Sequence, residues 1–254
     1  MIKKTEALLE LLRSDYQEIL RENLVGIYLH GSYVLGSYQE KVSDLDYLVV
    51  VYKKLSIAVK KDLMNYTLAT LWPLAPKKGL EFHVLCLVDT LAGNYPLPFD
   101  FHFSPQHLRA YADEPELYLK NMQGLDPDLA AHVQVTYLLG KVLVGAEIPK
   151  VFAPVPKKDY WQSVLGDVQD AEKEIVQKPT YFVLNLCRAL AYRQEHQILS
   201  KNAGGNWGLS HLSTAYRPTI LLALAAYDGL TVKNEQYTTA TLINFAQEVI
   251  YLLQ

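Results

Sequence analysis

The segment that most constrains this 254-residue chain is Leu29 to Val51, LHGSYVLGSYQEKVSDLDYLVVV. It joins one short apolar run, Val25 to His30, to another, Asp46 to Tyr52. Both read as strands, and the second is continuous enough in apolar content to be buried on both faces. Between them stand Gly31-Ser32, with Gly36 four residues after Ser32, and then Ser43-Asp44-Leu45-Asp46. A Gly-Ser turn that opens a helix leaves backbone N–H groups aimed at an anion, and the helix dipole favours negative charge there. Alone, such a pair signals only a turn. Asp44 and Asp46 add the chemistry: two apart at the mouth of a strand, their carboxylates share one face while Leu45 points into the core. Two like charges held together repel, which a purely structural role seldom demands. Hard oxygen ligands on one face suit Mg²⁺, with phosphate oxygens and water completing its octahedron. Metals held this way can activate an attacking oxygen and stabilise a leaving one at phosphorus.

Leu80 to Val88 reads as a third strand, with Glu81 near its start and His83 on the same face. If it lies beside strand 46–52, Glu81 meets the aspartates, where it either ligates a metal or acts as general base for an attacking hydroxyl. On an edge strand it would instead be a solvated glutamate. Leu8, Leu12, Tyr16 and Ile19 line one face of an opening helix, and 56–71 reads as a second. Residues 90–105, with Pro96, Pro98 and Pro105, predict a long loop or edge excursion, on which His102 is a candidate substrate contact. Helical stretches follow over 105–120 and 127–145.

Ile148 to Lys158 carries three prolines without a continuous period and is the candidate linker. Beyond it 160–177, 180–199, 218–227 and 237–253 carry helical spacing, broken by Lys178-Pro179 and by a turn at Gly204-Gly205. The pattern predicts an α+β chain. A domain over 1–150 holds a mixed β-sheet flanked by helices, and an all-helical domain follows over 151–254.

With 50% hydrophobic and 20% charged residues the chain can build a packed core. A net charge of −3 argues against gripping a nucleic-acid backbone and is compatible with a cationic partner. Cys86 and Cys187, each within an apolar run, read as reduced, buried thiols. The opening residues resemble an amphipathic helix and not a secretory signal. The longest apolar stretch, near Ile220 to Tyr227, is too short to span a bilayer. The expectation is a monomeric cytoplasmic protein that binds neither nucleic acid nor membrane. Asp167, Asp170, Glu172 and Glu174 read as a solvated helix face.

A Gly-Ser turn, a spacer, Asp-x-Asp and a later strand acid resemble the nucleotidyltransferase superfamily named for DNA polymerase β. Further landmarks resemble one branch of it, the two-domain aminoglycoside nucleotidyltransferases of the streptomycin/spectinomycin adenylyltransferase kind. Leu143-Val144-Gly145 followed by Val151-Phe152-Ala153-Pro154-Val155-Pro156 is similar to that family's domain junction. Leu186-Cys187-Arg188-Ala189, Ser200-Lys201, Asn206-Trp207 and Tyr216-Arg217-Pro218, with Tyr227 downstream, are similar to its helical domain.

The resemblance implies AMP transfer from ATP to a hydroxyl of an aminoglycoside-type antibiotic, dependent on Mg²⁺. It implies metal ligation by Asp44, Asp46 and Glu81, with Glu81 also the base. Gly31, Ser32 and Ser43 fall near the triphosphate, and Arg188, Lys201 and Tyr227 near the nucleotide. Streptomycin-accepting relatives present an acid near the position of Lys178, so spectinomycin is favoured over streptomycin. The rival readings are another acceptor (a metabolite, a protein or an RNA) and a non-catalytic ATP-binding module.

Overall fold

In the computed structural model, which describes residues 2–254, the chain forms two compact units, one ending at Tyr160 and the other spanning Trp161–Gln254. The first contains α1 (Ile2–Leu20), β1 (Leu24–Leu29), α2 (Gly31–Val34), β2 (Leu45–Val51), α3 (Ile57–Tyr66) and β3 (Leu80–Cys86). It continues through α4 (Leu87–Ala92), β4 (Leu97–Phe99), β5 (Phe101–Phe103), α5 (Leu108–Asp113) and α6 (Pro115–Asn121). The last elements before the boundary are β6 (Gly124–Asp126), α7 (Leu129–Leu139) and β7 (Lys141–Gly145).

The main sheet is mixed, in the order β5-β3-β2-β1-β7, with β2 and β3 parallel and the other pairs antiparallel. Strand alternation sorts its residues onto two faces. Leu45, Tyr47, Val49 and Val51 of β2 and Phe82 and Val84 of β3 join a core with Leu8, Leu12 and Tyr16 of α1 and Leu63 of α3. Leu48 and Val50, with Leu85 of β3, pack on the opposite face against Leu129 and Val133 of α7. Burial on both faces is why β2 reads as an unbroken apolar run. Tyr16 is fully buried, and its hydroxyl finds Thr67 at 2.8 Å and Tyr47 at 3.2 Å. An unpartnered hydroxyl there would cost about 1–3 kcal/mol.

Several expectations need correction. The stretch 127–145 is not one helix: α7 stops at Leu139, Gly140 turns the chain, and Lys141–Gly145 pairs with β1 as an edge strand. An edge strand buries little of either face, so β7 lacks the alternation that marks a half-buried strand. Of the two alternatives for residues 90–105, the structure takes the edge excursion over the loop: they include the end of α4, β4, which pairs with β6, and β5 on the sheet edge. The proline-containing segment after β7 is also anchored. Val151 and Phe152 are 1% exposed, Phe152 packs edge-on to Tyr28, and Thr90 Oγ1 donates to the Val151 carbonyl at 2.6 Å.

The second unit takes in most of α8 (Lys157–Val168), then α9 (Ala171–Glu174), α10 (Pro179–Glu195), α11 (Lys201–His211), α12 (Arg217–Tyr227) and α13 (Thr239–Leu253). Pro179 opens α10, where its missing N–H costs nothing. The Gly204-Gly205 pair is not a turn: both residues lie inside α11. The reason is close packing, because a Cβ at Gly205 would press on Leu184 and Leu224, and one at Gly208 on Cys187 Sγ. Cys86 and Cys187 are buried free thiols, and burial pushes Cys187 up to about 12. Among the described residues no helix is long and apolar enough to cross a membrane.

Candidate active site

The polar groups of interest gather on the α7 side of the sheet, at the start of β2 and β3. Asp46 stands opposite Glu81 in the parallel ladder, and Asp44 lies just before β2. One carboxylate oxygen from each of Asp44, Asp46 and Glu81 comes within 4.8 Å of the others, and all three side chains are half-buried. At an effective dielectric of about 20, unit charges so spaced repel by about 3 kcal/mol per pair. Burial raises the Glu81 carboxyl above its usual range, a rise that His132 opposes and Asp44 reinforces. Three hard oxygen donors under mutual repulsion fit a divalent cation such as Mg²⁺.

The turn beside them is shaped to admit the cluster. Gly31 has φ +59°, and a Cβ there would overlap Asp46 Oδ2, so only glycine lets that carboxylate lie against the turn. The next residue, Ser32, has a buried Oγ without a hydrogen-bond partner. A buried hydroxyl left unpaired beside three acids is a donor waiting for an anion. Ser43 is used differently: its Oγ accepts from the Gln39 N–H at 3.0 Å, and its carbonyl accepts from Lys78 N–H at 3.1 Å, which ties down the loop before β2.

Arg188, Lys201 and Tyr227 belong to the helical unit. Arg188 is firmly placed: Nε donates to the Leu199 carbonyl at 2.8 Å and Nη1 to Asn185 Oδ1 at 2.9 Å, while its Cγ lies where a Cβ on Gly204 would sit. Lys201 opens α11 just after the Ser200 cap, with Nζ 5.4 Å from the centre of the Tyr181 ring. Tyr227 closes α12.

The structure brings together four histidines, of which sequence reasoning had singled out His83 beside Glu81 and His102 as a substrate contact. His30, His83, His102 and His132 form a file of rings: His30 on His132 at 4.8 Å, His132 edge-on to His83 at 5.7 Å, and His83 stacked on His102 at 3.9 Å. His102 is therefore a sheet residue with Nδ1 3.1 Å from the Phe82 carbonyl. Burial holds His30 and His83 below the usual imidazole range, and brings His102 down to about 3. His132 is the exception. Burial pushes it down too, but the carboxylates of Asp128, Glu81 and Asp46 outweigh that and raise it to about 10.

Two acids, Asp126 at the end of β6 and Asp128 just before α7, complete the group. Asp126 Oδ2 lies 3.2 Å from His83 Nε2, and Asp128 Oδ2 lies 3.3 Å from His132 Nε2. The readable trace of these residues was Asp126-Pro127-Asp128, a turn signal, with His132 one helical turn beyond. Four-residue spacing at a helix start brings an acid and a histidine together, but nothing local says which site they face.

A five-stranded mixed sheet with an Asp-x-Asp strand and a neighbouring strand acid defines a nucleotidyltransferase. A family model described as "Nucleotidyltransferase domain" matches residues 9–130. A second, "Aminoglycoside adenylyltransferase, C-terminal domain", matches residues 150–251. The chain belongs to the aminoglycoside nucleotidyltransferase family. It is 23% identical over 230 residues to a spectinomycin 9-adenylyltransferase of Enterococcus faecalis, covering 89% of this chain and 88% of that one. It is 21% identical over 215 residues to a spectinomycin 9-adenylyltransferase of Campylobacter jejuni, with 84% and 81% covered. The fold is similar to the crystal structure of an Enterococcus spectinomycin adenyltransferase with ATP and spectinomycin, at TM-score 0.78 and 21% identity over 98% of each chain.

Proposed function

We propose that this chain transfers AMP from ATP to a hydroxyl of an aminoglycoside-type antibiotic, spectinomycin in preference to streptomycin, and so inactivates it. The observation that carries the reading is the convergence of Asp44, Asp46 and Glu81 beside an unpartnered Ser32 hydroxyl. When bound, Mg²⁺ supplies charge neutralisation at the phosphates and acidifies oxygens attached to it.

In this scheme Asp44 and Asp46 hold the cation. Gly31 leaves room for Asp46, and the Ser32 hydroxyl donates to a phosphate oxygen. Ser43 fixes the loop that carries Asp44 near the triphosphate. Glu81 serves the cation site and takes the proton from the acceptor hydroxyl as that oxygen attacks the α-phosphorus. Arg188 and Lys201 offset triphosphate charge, and Tyr227 contacts the nucleotide.

Tyr95 and Asp159 line a small, mostly apolar cavity with Asn94, Leu129 and Val133. The Tyr95 phenol there is pushed up by burial and then by the carboxylates of Asp159, Asp128 and Asp126, an acidic setting suited to ammonium groups.

The test is mass spectrometry of spectinomycin, streptomycin and other aminoglycosides incubated with the purified chain, ATP and Mg²⁺. An AMP adduct on spectinomycin, lost in Asp46→Asn with the fold retained by circular dichroism, is the expected result. ATP binding without any adduct across the panel would defeat the antibiotic assignment, and an adduct retained by Asp46→Asn would defeat the site.

A further inference from the structure

We propose that Tyr181, held by Asp167, is the positioning residue for Lys201. The proposal rests on the nucleotide role given to Lys201 above and adds two side chains that the adenylyl-transfer reading does not use.

One face of α10 organises both cations of the helical unit. Tyr181, Asn185 and Arg188 follow at steps of four and three, so their side chains line one stripe of the helix. Arg188 anchors the chain entering α11: its Nε donates to the Leu199 carbonyl at 2.8 Å, and Asn185 Oδ1 accepts from its Nη1 at 2.9 Å. The Ser200 hydroxyl then accepts the Ala203 N–H at 3.1 Å and caps α11. These bonds fix the backbone of Lys201 but leave its four-carbon stem to be placed. Tyr181 supplies that constraint. Lys201 Nζ stands 5.4 Å from the centre of the Tyr181 ring, within the range over which the ring's negative face attracts a cation. The ring is itself held, because the Tyr181 hydroxyl donates to Asp167 Oδ1 of α8 at 3.0 Å. Asp167 is thus engaged with α10, where its spacing suggested only a solvated face.

The arrangement prepares Lys201 for a polyphosphate. A lysine side chain loses much rotamer freedom when it is fixed. A seat that confines it beforehand removes part of that loss from nucleotide binding. The attraction is to the ring face and uses no lone-pair acceptor, so the same ammonium can serve phosphate oxygens while seated. A carboxylate that accepts from the phenol also leaves the ring more electron-rich, which strengthens its hold on the cation. Tyr181 acts through Lys201 in this scheme.

The test is calorimetric binding of ATP with Mg²⁺ to the full chain, arranged as a double-mutant cycle. Tyr181→Leu is expected to raise the Kd for ATP by about two- to fivefold, the measure of one exposed cation–ring contact. Tyr181→Phe, which keeps the ring and loses the bond to Asp167, should weaken binding by less. In a Lys201→Met background Tyr181→Leu should cost nothing further, because the two side chains act as a unit. Tyr181 is 38% exposed, so Tm should change little in either variant. An equal loss in both backgrounds, unchanged or tighter ATP binding in Tyr181→Leu, or a loss confined to KM for spectinomycin would overturn the proposal. Separately, proton NMR of the nucleotide-free chain should show the Lys201 ε-methylene shifted upfield by the ring and returned to its ordinary position by Tyr181→Leu. An unshifted methylene also overturns it. If Lys201→Met leaves ATP affinity unchanged, the nucleotide role of Lys201 fails and the proposal with it, whereas an effect of Lys201→Met without one of Tyr181→Leu sinks the proposal alone.

Discussion

Replacing Gly31 by alanine separates two costs that glycine avoids at once. The first is conformational: a non-glycine residue at φ +59° is in the left-handed region and costs about 1–2 kcal/mol. In a unit of this size that is a fall in Tm of roughly 2–8 °C, at about 2–4 °C per kcal/mol. The second is local. The new methyl group overlaps Asp46 Oδ2, which must retreat by about 1 Å, and a displacement of about 1 Å at a reacting centre can cost on the order of a hundredfold in rate. The short Asp46 side chain can swing aside, so this second cost falls on function and little on stability. Gly36→Ala is the matched control, since Gly36 also has positive φ (+73°) but open space where a Cβ would stand. The assay is a thermal melt by circular dichroism beside kcat/KM for ATP- and Mg²⁺-dependent AMP transfer. Both variants should lose similar Tm, and only Gly31→Ala should lose about a hundredfold in kcat/KM. Equal activity losses in the two, or full activity in Gly31→Ala, would refute the claim that Gly31 exists to seat Asp46.

The histidine file predicts acid sensitivity in metal-free buffer. His30, His83 and His102 have lowered folded pKa values, so the stability they contribute is present above the unfolded value of about 6.5 and is lost as pH falls below it. For His102 the window runs from about 6.5 towards about 3, at about 1.4 kcal/mol per pH unit for one proton. His132, raised to about 10, has the opposite sign: its contribution is intact below about 6.5 and is lost as pH rises through about 10. Urea midpoints should fall steadily from pH 6.5 to 5, and a flat profile would contradict the buried neutral rings. Separately, Lys60 and Asp100 form a buried ion pair at 3.2 Å, and Asp100 Oδ2 also accepts the Leu55 N–H at 2.7 Å. Asp100→Ala should destabilise by about 3–5 kcal/mol by leaving Lys60 uncompensated, whereas Lys60→Met with Asp100→Leu should recover most of that. A loss under 1 kcal/mol in Asp100→Ala, measured by urea unfolding, would mean that Lys60 finds water instead.

Much of the architecture was legible because its signals are local. β1, β2 and β3 announce themselves as apolar runs, since a strand covered on both faces cannot hide its composition. α1 does so through Leu8, Leu12 and Tyr16, and α13 through Leu242, Phe245 and Val249. β7 was misread as helix because an exposed edge imposes little pattern on Val142-Leu143-Val144. Gly204-Gly205 was misread as a turn because glycine signals both a bend and a close approach, and only the neighbouring helices distinguish the two.

The same division runs through the site. Asp44 and Asp46 are two residues apart at a strand start, so the chain alone places them on one face, with Leu45 in the core. Glu81 needed one further condition, that its strand run beside β2, which the parallel register meets by setting it against Asp46. The histidine file was beyond reach of the sequence. His30 follows β1, His83 and His102 lie on β3 and β5, and His132 lies on α7, so their contacts follow from sheet order and from the packing of α7 on the sheet. Chemistry carried by neighbours along the chain is determined by the sequence through the strand repeat of two. Chemistry carried by residues dozens of positions apart is decided only when the sheet closes and burial brings their side chains together.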